Sequence, residues 1–220
     1  MRTKQTIAAA CALALALSLA ACSPSGGGER LTGTDRFTFT PINGGTAYSV
    51  SAGTATEGAV SIPAWYRPDA ESDYLPVTAI ARNAFAFCDS LTSVTIPAGV
   101  TNIGGGAFGK CTGLTSITIP STTAWIGVIA FSGCTGVTAI TIPAGVTLID
   151  GGAFIGWTAG QTITIEGKAN REAAIAAGWD EGWDIGCDAV INYDPVNYAV
   201  VNDAIIDAAV IDGASPINTL

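Results

Sequence analysis

Cys88, Cys111 and Cys134 recur at one fixed interval, and thiols so spaced raise three kinds of chemistry: disulfide exchange, nucleophilic attack and metal binding. Stacked coils would set the three in one column with parallel side chains, which suits the disulfide dihedral poorly. Buried free thiols that pack as small apolar groups are the expectation. Cys187 lies outside the series with no evident partner, so its redox state is left open by the sequence. The chain has no histidine, which removes the commonest general base and metal ligand and any Ser-His or Cys-His pair. Asp180, Asp184 and Asp188 recur every four residues, which on a helix would put three carboxylates on one side. No glycine-turned loop with ligands at alternating positions accompanies them, so they read as solvated charge and not as a calcium site. No phosphate-binding glycine motif is present, and from Phe85 to Ile165 the only charged residues are Asp89, Lys110 and Asp150. No catalytic residue, no metal site and no cofactor is expected, and the composition argues against an enzyme.

The elements that carry these thiols follow from the same interval. Phe85, Phe108, Phe131 and Phe154 keep the 23-residue step, as do Val94, Ile117, Ile140 and Ile163, then Ile96, Ile119, Ile142 and Ile165. A period of this length, in units that cannot bury an apolar face alone, means a stacked solenoid. The units Leu91-x-x-Val94-x-Ile96-Pro97, Leu114-x-x-Ile117-x-Ile119-Pro120 and Val137-x-x-Ile140-x-Ile142-Pro143 carry the L-x-x-L-x-L signature of leucine-rich repeats. Val94 and Ile96 alternate with Ser93 and Thr95, so a short strand buries one side and exposes the other. Proline then ends the strand by removing a ladder donor. The return path runs through Val100 and Ile103, or Val146 and Ile149, to a Gly-Ala-Phe step. The repeated phenylalanines and cysteines are therefore assigned to the core.

The ends depart from the pattern. Val60-Ser61-Ile62-Pro63 aligns with Val94-Thr95-Ile96-Pro97 if Ala64 to Tyr74 is an insertion, expected to bulge as a surface loop. Phe37-Thr38-Phe39-Thr40 and Ala47-Tyr48-Ser49-Val50 alternate around Asn43-Gly44-Gly45, a hairpin signal read as the N-terminal cap. In the last unit Trp157 replaces the ladder cysteine, Gly160 the leucine and Glu166 the proline. Asn170 is placed to cap a short helix over Arg171 to Ala177, and Trp179, Trp183 and the strand Ala189–Tyr193 would close the open edge.

The N-terminus carries Arg2 and Lys4, then an uncharged run from Ile7 to Ala21 ending at Cys22. The run is shorter than a membrane span and reads as a cleaved secretory leader. Leu19-Ala20-Ala21-Cys22 resembles the lipobox of bacterial lipoproteins, which implies acylation of Cys22. Several acyl chains on one residue hold a protein on a membrane. Ser23-Pro24-Ser25-Gly26-Gly27-Gly28 reads as a flexible tether. Removing the leader takes away Arg2 and Lys4 and no acid, so the mature chain is more acidic than the formal −9 of the whole sequence. That balance argues against nucleic acid and anionic lipid headgroups as partners. The expected organisation is a signal peptide over 1–21, a tether over 22–36, a cap hairpin over 37–59, repeats over 60–166, a C-terminal cap over 167–193 and a poorly ordered acidic tail over 194–220.

The outward strand positions form Thr95, Thr118, Thr141 and Thr164 in one row and Ser93, Ser116, Ala139 and Thr162 in the next. Such a polar, uncharged sheet is a candidate contact surface, as horseshoe repeats bind through such a face. It is also what a solvated strand looks like, since threonine suits one. The segment Ile103-Gly104-x-x-Ala107-Phe108-x-x-Cys111-x-x-Leu114-x-x-Ile117-x-Ile119-Pro120 and its copies resemble the BspA-type leucine-rich repeats of bacterial surface proteins, spirochaetal lipoproteins among them. The resemblance implies an exported, surface-exposed protein that binds a protein ligand, in some relatives a host extracellular-matrix protein, in adhesion or as a surface antigen. The competing expectation is a structural envelope lipoprotein with no host ligand. Neither the ligand nor the oligomeric state is legible.

Overall fold

The computed structural model describes residues 30–32 and 36–194. The leader, Cys22 and the tail after Asp194 lie outside them. Each coil places one strand in a parallel sheet with its neighbours: β4 (Gly58–Ser61), β7 (Leu91–Thr95) and β9 (Ser116–Thr118), then β11 (Ala139–Ile142), β13 (Thr162–Glu166) and β14 (Val190–Asp194). Strands β9 and β11 lie side by side where the ladder is interrupted. Register is in step, with Ser93 opposite Ser116, Val94 opposite Ile117 and Thr95 opposite Thr118. Ile140 is likewise opposite Ile163 and Ile142 opposite Ile165. In-step register turns a sequence period into columns. The inward column is buried from Val60 and Ile62 through Ile163 and Ile165.

The return side of each coil is also a strand. β3 (Ala47–Ser51), β6 (Leu75–Ile80), β8 (Asn102–Ile103), β10 (Trp125–Ile126) and β12 (Leu148–Ile149) pair in parallel as a second sheet. From sequence this side reads only as an irregular path. Three of its strands have two residues each, too short to show alternation. The hairpin is formed by β2 (Thr38–Ile42) and β3, antiparallel from Thr38–Ser51 to Ile42–Ala47. The turn Asn43–Gly45 puts all three residues at positive φ.

One expectation holds only in part: Pro68 to Glu71 and Asp73 are exposed, as in a surface loop. The insertion Ala64 to Tyr74 does not simply bulge: its Trp65–Arg67 forms β5, antiparallel to β6 and parallel to β1 (Arg30–Thr32). Tyr66 is buried there, stacked on Phe39 at 3.8 Å and edge-on to Tyr48 at 4.9 Å. Burying Tyr66 and Tyr48 against the half-buried Phe39 contributes more than a solvated loop would. That is why the segment folds inward.

The phenylalanines form a column of parallel rings, 5.3 Å from Phe85 to Phe108, 5.5 Å on to Phe131 and 5.6 Å on to Phe154. Trp157 and Trp183 meet Phe154 edge-on at 5.3 and 6.2 Å and close the column. The column stops because Asp184 stands where the next phenylalanine would be. Glu181 to Cys187 repeats the turn of Gly151 to Trp157, sharing Ile-Gly at 155–156 and 185–186. The Cys187 N–H bonds to the Asp184 carbonyl as the Trp157 N–H bonds to that of Phe154.

The three column thiols are buried and free. Cys111 donates to the Phe85 carbonyl of the preceding coil at 2.9 Å, and Cys134 to that of Phe108 at 3.0 Å. Trp157 continues the series, with its indole N–H donating to the Phe131 carbonyl at 2.8 Å. The tryptophan that breaks the sequence pattern thus preserves its hydrogen bond. Nearby, Gln161 is buried with its amide donating to the Cys134 and Val137 carbonyls and its oxygen accepting from the Thr158 N–H. It ties down the coil where Gly160 has replaced leucine.

At the C-terminal end Asn170 caps α1 (Arg171–Ala176), its side chain accepting from the Ala173 N–H at 2.8 Å. The aspartate trio is not on a helix. Asp184 pairs with Arg171 at 2.8 Å, Asp180 accepts from the Gly182 N–H, and Asp188 is exposed in the last turn.

Candidate binding surface

The outer sheet presents two rows built by register alone. One runs Ser61, Thr95, Thr118, then Thr141, Thr164, Asn192, and the other Ala59, Ser93, Ser116, then Ala139, Thr162, Val190. Thr95, Ser116, Thr118 and Thr141 are exposed, and Ser93, Thr162 and Thr164 half-buried. Ser61 lies opposite Thr95, as the alignment of Val60-Ser61 with Val94-Thr95 implies, whereas Asn192 and Val190 escape the sequence reading because the last coil is longer than the regular ones, pairing Ile163 with Ile191. The signal that could have extended the rows is the alternation of Val190-Ile191-Asn192-Tyr193, which matches Thr162-Ile163-Thr164-Ile165.

Elsewhere some hydroxyls bridge the coils, while those of Thr92, Ser121, Thr135, Thr138 and Thr158 make no hydrogen bond among the described residues. Thr101, Thr115 and Thr147 each donate to a carbonyl one coil back, at 3.2, 3.0 and 3.1 Å. Thr112 donates to Asp89, and Thr122 and Thr123 both reach the Val100 carbonyl. On the outer sheet, the hydroxyls of Ser93, Thr95, Ser116, Thr118, Thr141, Thr162 and Thr164 make no hydrogen bond among the described residues. Each unspent hydroxyl offers one donor and two acceptor positions outward.

Burial pushes the Cys111 and Cys134 thiols up to about 12, so at neutral pH they are protonated and poor nucleophiles. Burial and then the Asp89 charge raise Cys88, and burial raises Cys187. Burial lowers Lys168, whose ammonium reaches the Ala144 carbonyl at 3.5 Å and lies over the Trp179 ring. A cleft lined by Thr56, Glu57, Phe87, Cys88 and Asp89 holds two carboxylates and a thiol that burial pushes up. On the second sheet Trp125 donates to Asp150 at 3.0 Å. No group of three or more metal-ligating side chains occurs among the described residues.

Parallel strands on both sides of each coil, a stacked phenylalanine column and a hydroxyl-rich outer face define a leucine-rich-repeat solenoid. Within that class, the stretch 77–173 matches the BspA type leucine rich repeat region in six copies. The fold is shared with a leucine-rich repeat protein of Bacteroides ovatus, 23% identical over 72% of this chain with a TM-score of 0.50. The chain spans 36% of that protein's length. A leucine-rich repeat protein of Bacteroides capillosus is 22% identical over 73% of this chain and 96% of its own, again with a TM-score of 0.50. No curated protein matches the sequence.

Proposed function

We propose that this protein is a lipid-anchored, surface-exposed binding module that engages a protein ligand through the outer sheet, in adhesion to a host matrix protein or to other cells. The observation that carries the reading is the pair of in-register, uncharged rows that set Ser93, Thr95, Ser116, Thr118, Thr141, Thr162 and Thr164 on one side of the outer sheet. An uncharged face fits a protein partner better than nucleic acid, which needs a basic one. Cys22 supplies the anchor, and Ser23 to Gly28 supplies reach from the membrane.

Protease added to intact cells tests exposure. The expected result is cleavage of the protein along with established surface proteins, with a membrane-bound fragment carrying Cys22 left behind. Survival of the repeats while surface proteins are digested would contradict the reading, and would favour an envelope-internal structural lipoprotein.

A further inference from the structure

Two large apolar residues stand in turn positions with a left-handed backbone. Ile129 has φ 52° and is 40% exposed, and its position in other coils holds Asn83, Gly106 and Gly152. Phe87 has φ 61° and is 73% exposed, and its position holds Lys110, then Gly133, Gly156 and Gly186. A left-handed backbone is costly for a β-branched or bulky side chain, and little burial within the chain offsets that cost at either residue.

Both lie on the edge where the second sheet turns into the outer one. Its turns begin at Arg82, Gly105, Val128, Gly151 and Glu181. They stack in step, with the Phe87, Lys110 and Gly133 N–H groups bonded to the Gly109, Ser132 and Ile155 carbonyls. Charge is sorted along the edge. Arg82 and Lys110 are exposed in the first two turns and Glu181 in the last. Between them Val128, Ile129 and Ile155 are each 40% exposed. Arg82, Lys110 and the Glu181 carboxylate have no ion-pair partner among the described residues.

We propose that this edge is a contact between two antiparallel copies of the chain, related by a two-fold axis that lies in the face and crosses the middle turn. Such an axis reverses the order of the turns and keeps each turn position on its own side. Val128 and Ile129 then meet their own counterparts at the centre, and Arg82 meets the partner's Glu181 at both ends. Large residues fall on small ones, Phe87 on Gly186, Ile155 on Gly109 and Ile185 on Ala86. An axis along the stack would instead bring like charges together at each end, so charge selects the antiparallel pair. Stacked at about 4.8 Å per coil, the turns span about 20 Å. A face of that size belongs with transient interfaces, and the dimer is weak and reversible.

The test is sedimentation velocity of the full chain in about 150 mM NaCl over about 10–500 μM protein, the range that a weak contact requires. The wild type should shift reversibly from monomer towards dimer. R82E and E181R should each weaken association about tenfold, since each sets like charges against one another at both ends. R82E/E181R should restore it, and so should an equimolar mixture of the two single variants, because both arrangements return opposite charges to each end. I129N should also weaken it about tenfold, with no loss of melting temperature, since asparagine tolerates the left-handed turn as Asn83 does. Monomer at every wild-type concentration would overturn the proposal. Association of R82E/E181R no tighter than that of the single variants would overturn it too, as would wild-type association by I129N.

Discussion

Phe131→Ala should lower the unfolding free energy by about 3–5 kcal/mol, the range for emptying a phenylalanine site in a core that cannot collapse. Phe131 is fully buried and stacked between Phe108 at 5.5 Å and Phe154 at 5.6 Å. The coils above and below are held by backbone hydrogen bonds, Phe108 N–H to the Ala130 carbonyl and Phe131 N–H to the Ala153 carbonyl. The backbone therefore sets the coil spacing, and the cavity left by the ring stays open. The Trp157 indole, bonded to the Phe131 carbonyl, loses packing on one side as well. A domain of this size is stable by only about 5–15 kcal/mol, so the variant sits near the limit of folding. Phe87 is the control. It is 73% exposed in a left-handed turn, and Phe87→Ala should change stability by no more than about 0.5 kcal/mol. Urea titration followed by tryptophan fluorescence separates the two, and equal effects would mean that the column is not the core.

Gly127→Ala should cost about 3 kcal/mol, at the upper end of the overpacking range, although it adds one carbon. A Cβ on Gly127 would lie 2.5 Å from the Gly105 nitrogen and 2.9 Å from both the Gly104 carbonyl carbon and the Gly105 Cα. All three atoms are backbone of the preceding coil, so no side-chain rotation relieves the clash and two coils must separate. Because each coil touches only its neighbours, the damage spreads through the stack. Gly109→Ala is the matched control: its nearest contact would be the Gly106 oxygen at 3.4 Å, ordinary van der Waals distance. Thermal melting should show a fall of about 6–12 °C for the first and little change for the second. A small shift at Gly127 would mean that the coils are more loosely stacked than described.

What the sequence reveals and what it conceals have physical causes. The phenylalanine column, the thiol column and the outer strands are legible because stacking repeats one environment at a constant interval, and the same residue types answer it. The second sheet is not, since Asn102–Ile103, Trp125–Ile126 and Leu148–Ile149 are too short to carry a period. The fold of Trp65–Arg67 against the hairpin is hidden because its partners lie outside the repeat and no periodicity connects them. Trp157 reads as a break in the thiol series, yet its N–H makes the bond that a thiol makes in other coils. Register cannot be read from residue types where the spacing changes. Hence Asp180, Asp184 and Asp188 suggest a helix but mark the last turn, with Asp184 at the phenylalanine position.

For the candidate face, the sequence identifies the outward residues but not which hydroxyls are already in use. Thr115 and Thr118 look alike in sequence, but only Thr115 donates to a carbonyl one coil back. Thr115 sits just before β9, where its hydroxyl reaches the Thr92 carbonyl, while Thr118 is exposed on the strand.

The outer sheet as the binding face is tested most directly by solid-phase binding of the purified full chain to immobilised fibronectin and laminin, compared with T118E/T141E and with N102E/L148E on the second sheet. Saturable binding is expected for the wild type and for N102E/L148E. T118E/T141E should lose about tenfold in affinity at unchanged melting temperature, as when charge is placed at the centre of a contact surface. Wild-type binding by T118E/T141E, or no saturable binding of the wild type to either protein, would contradict that role for the sheet.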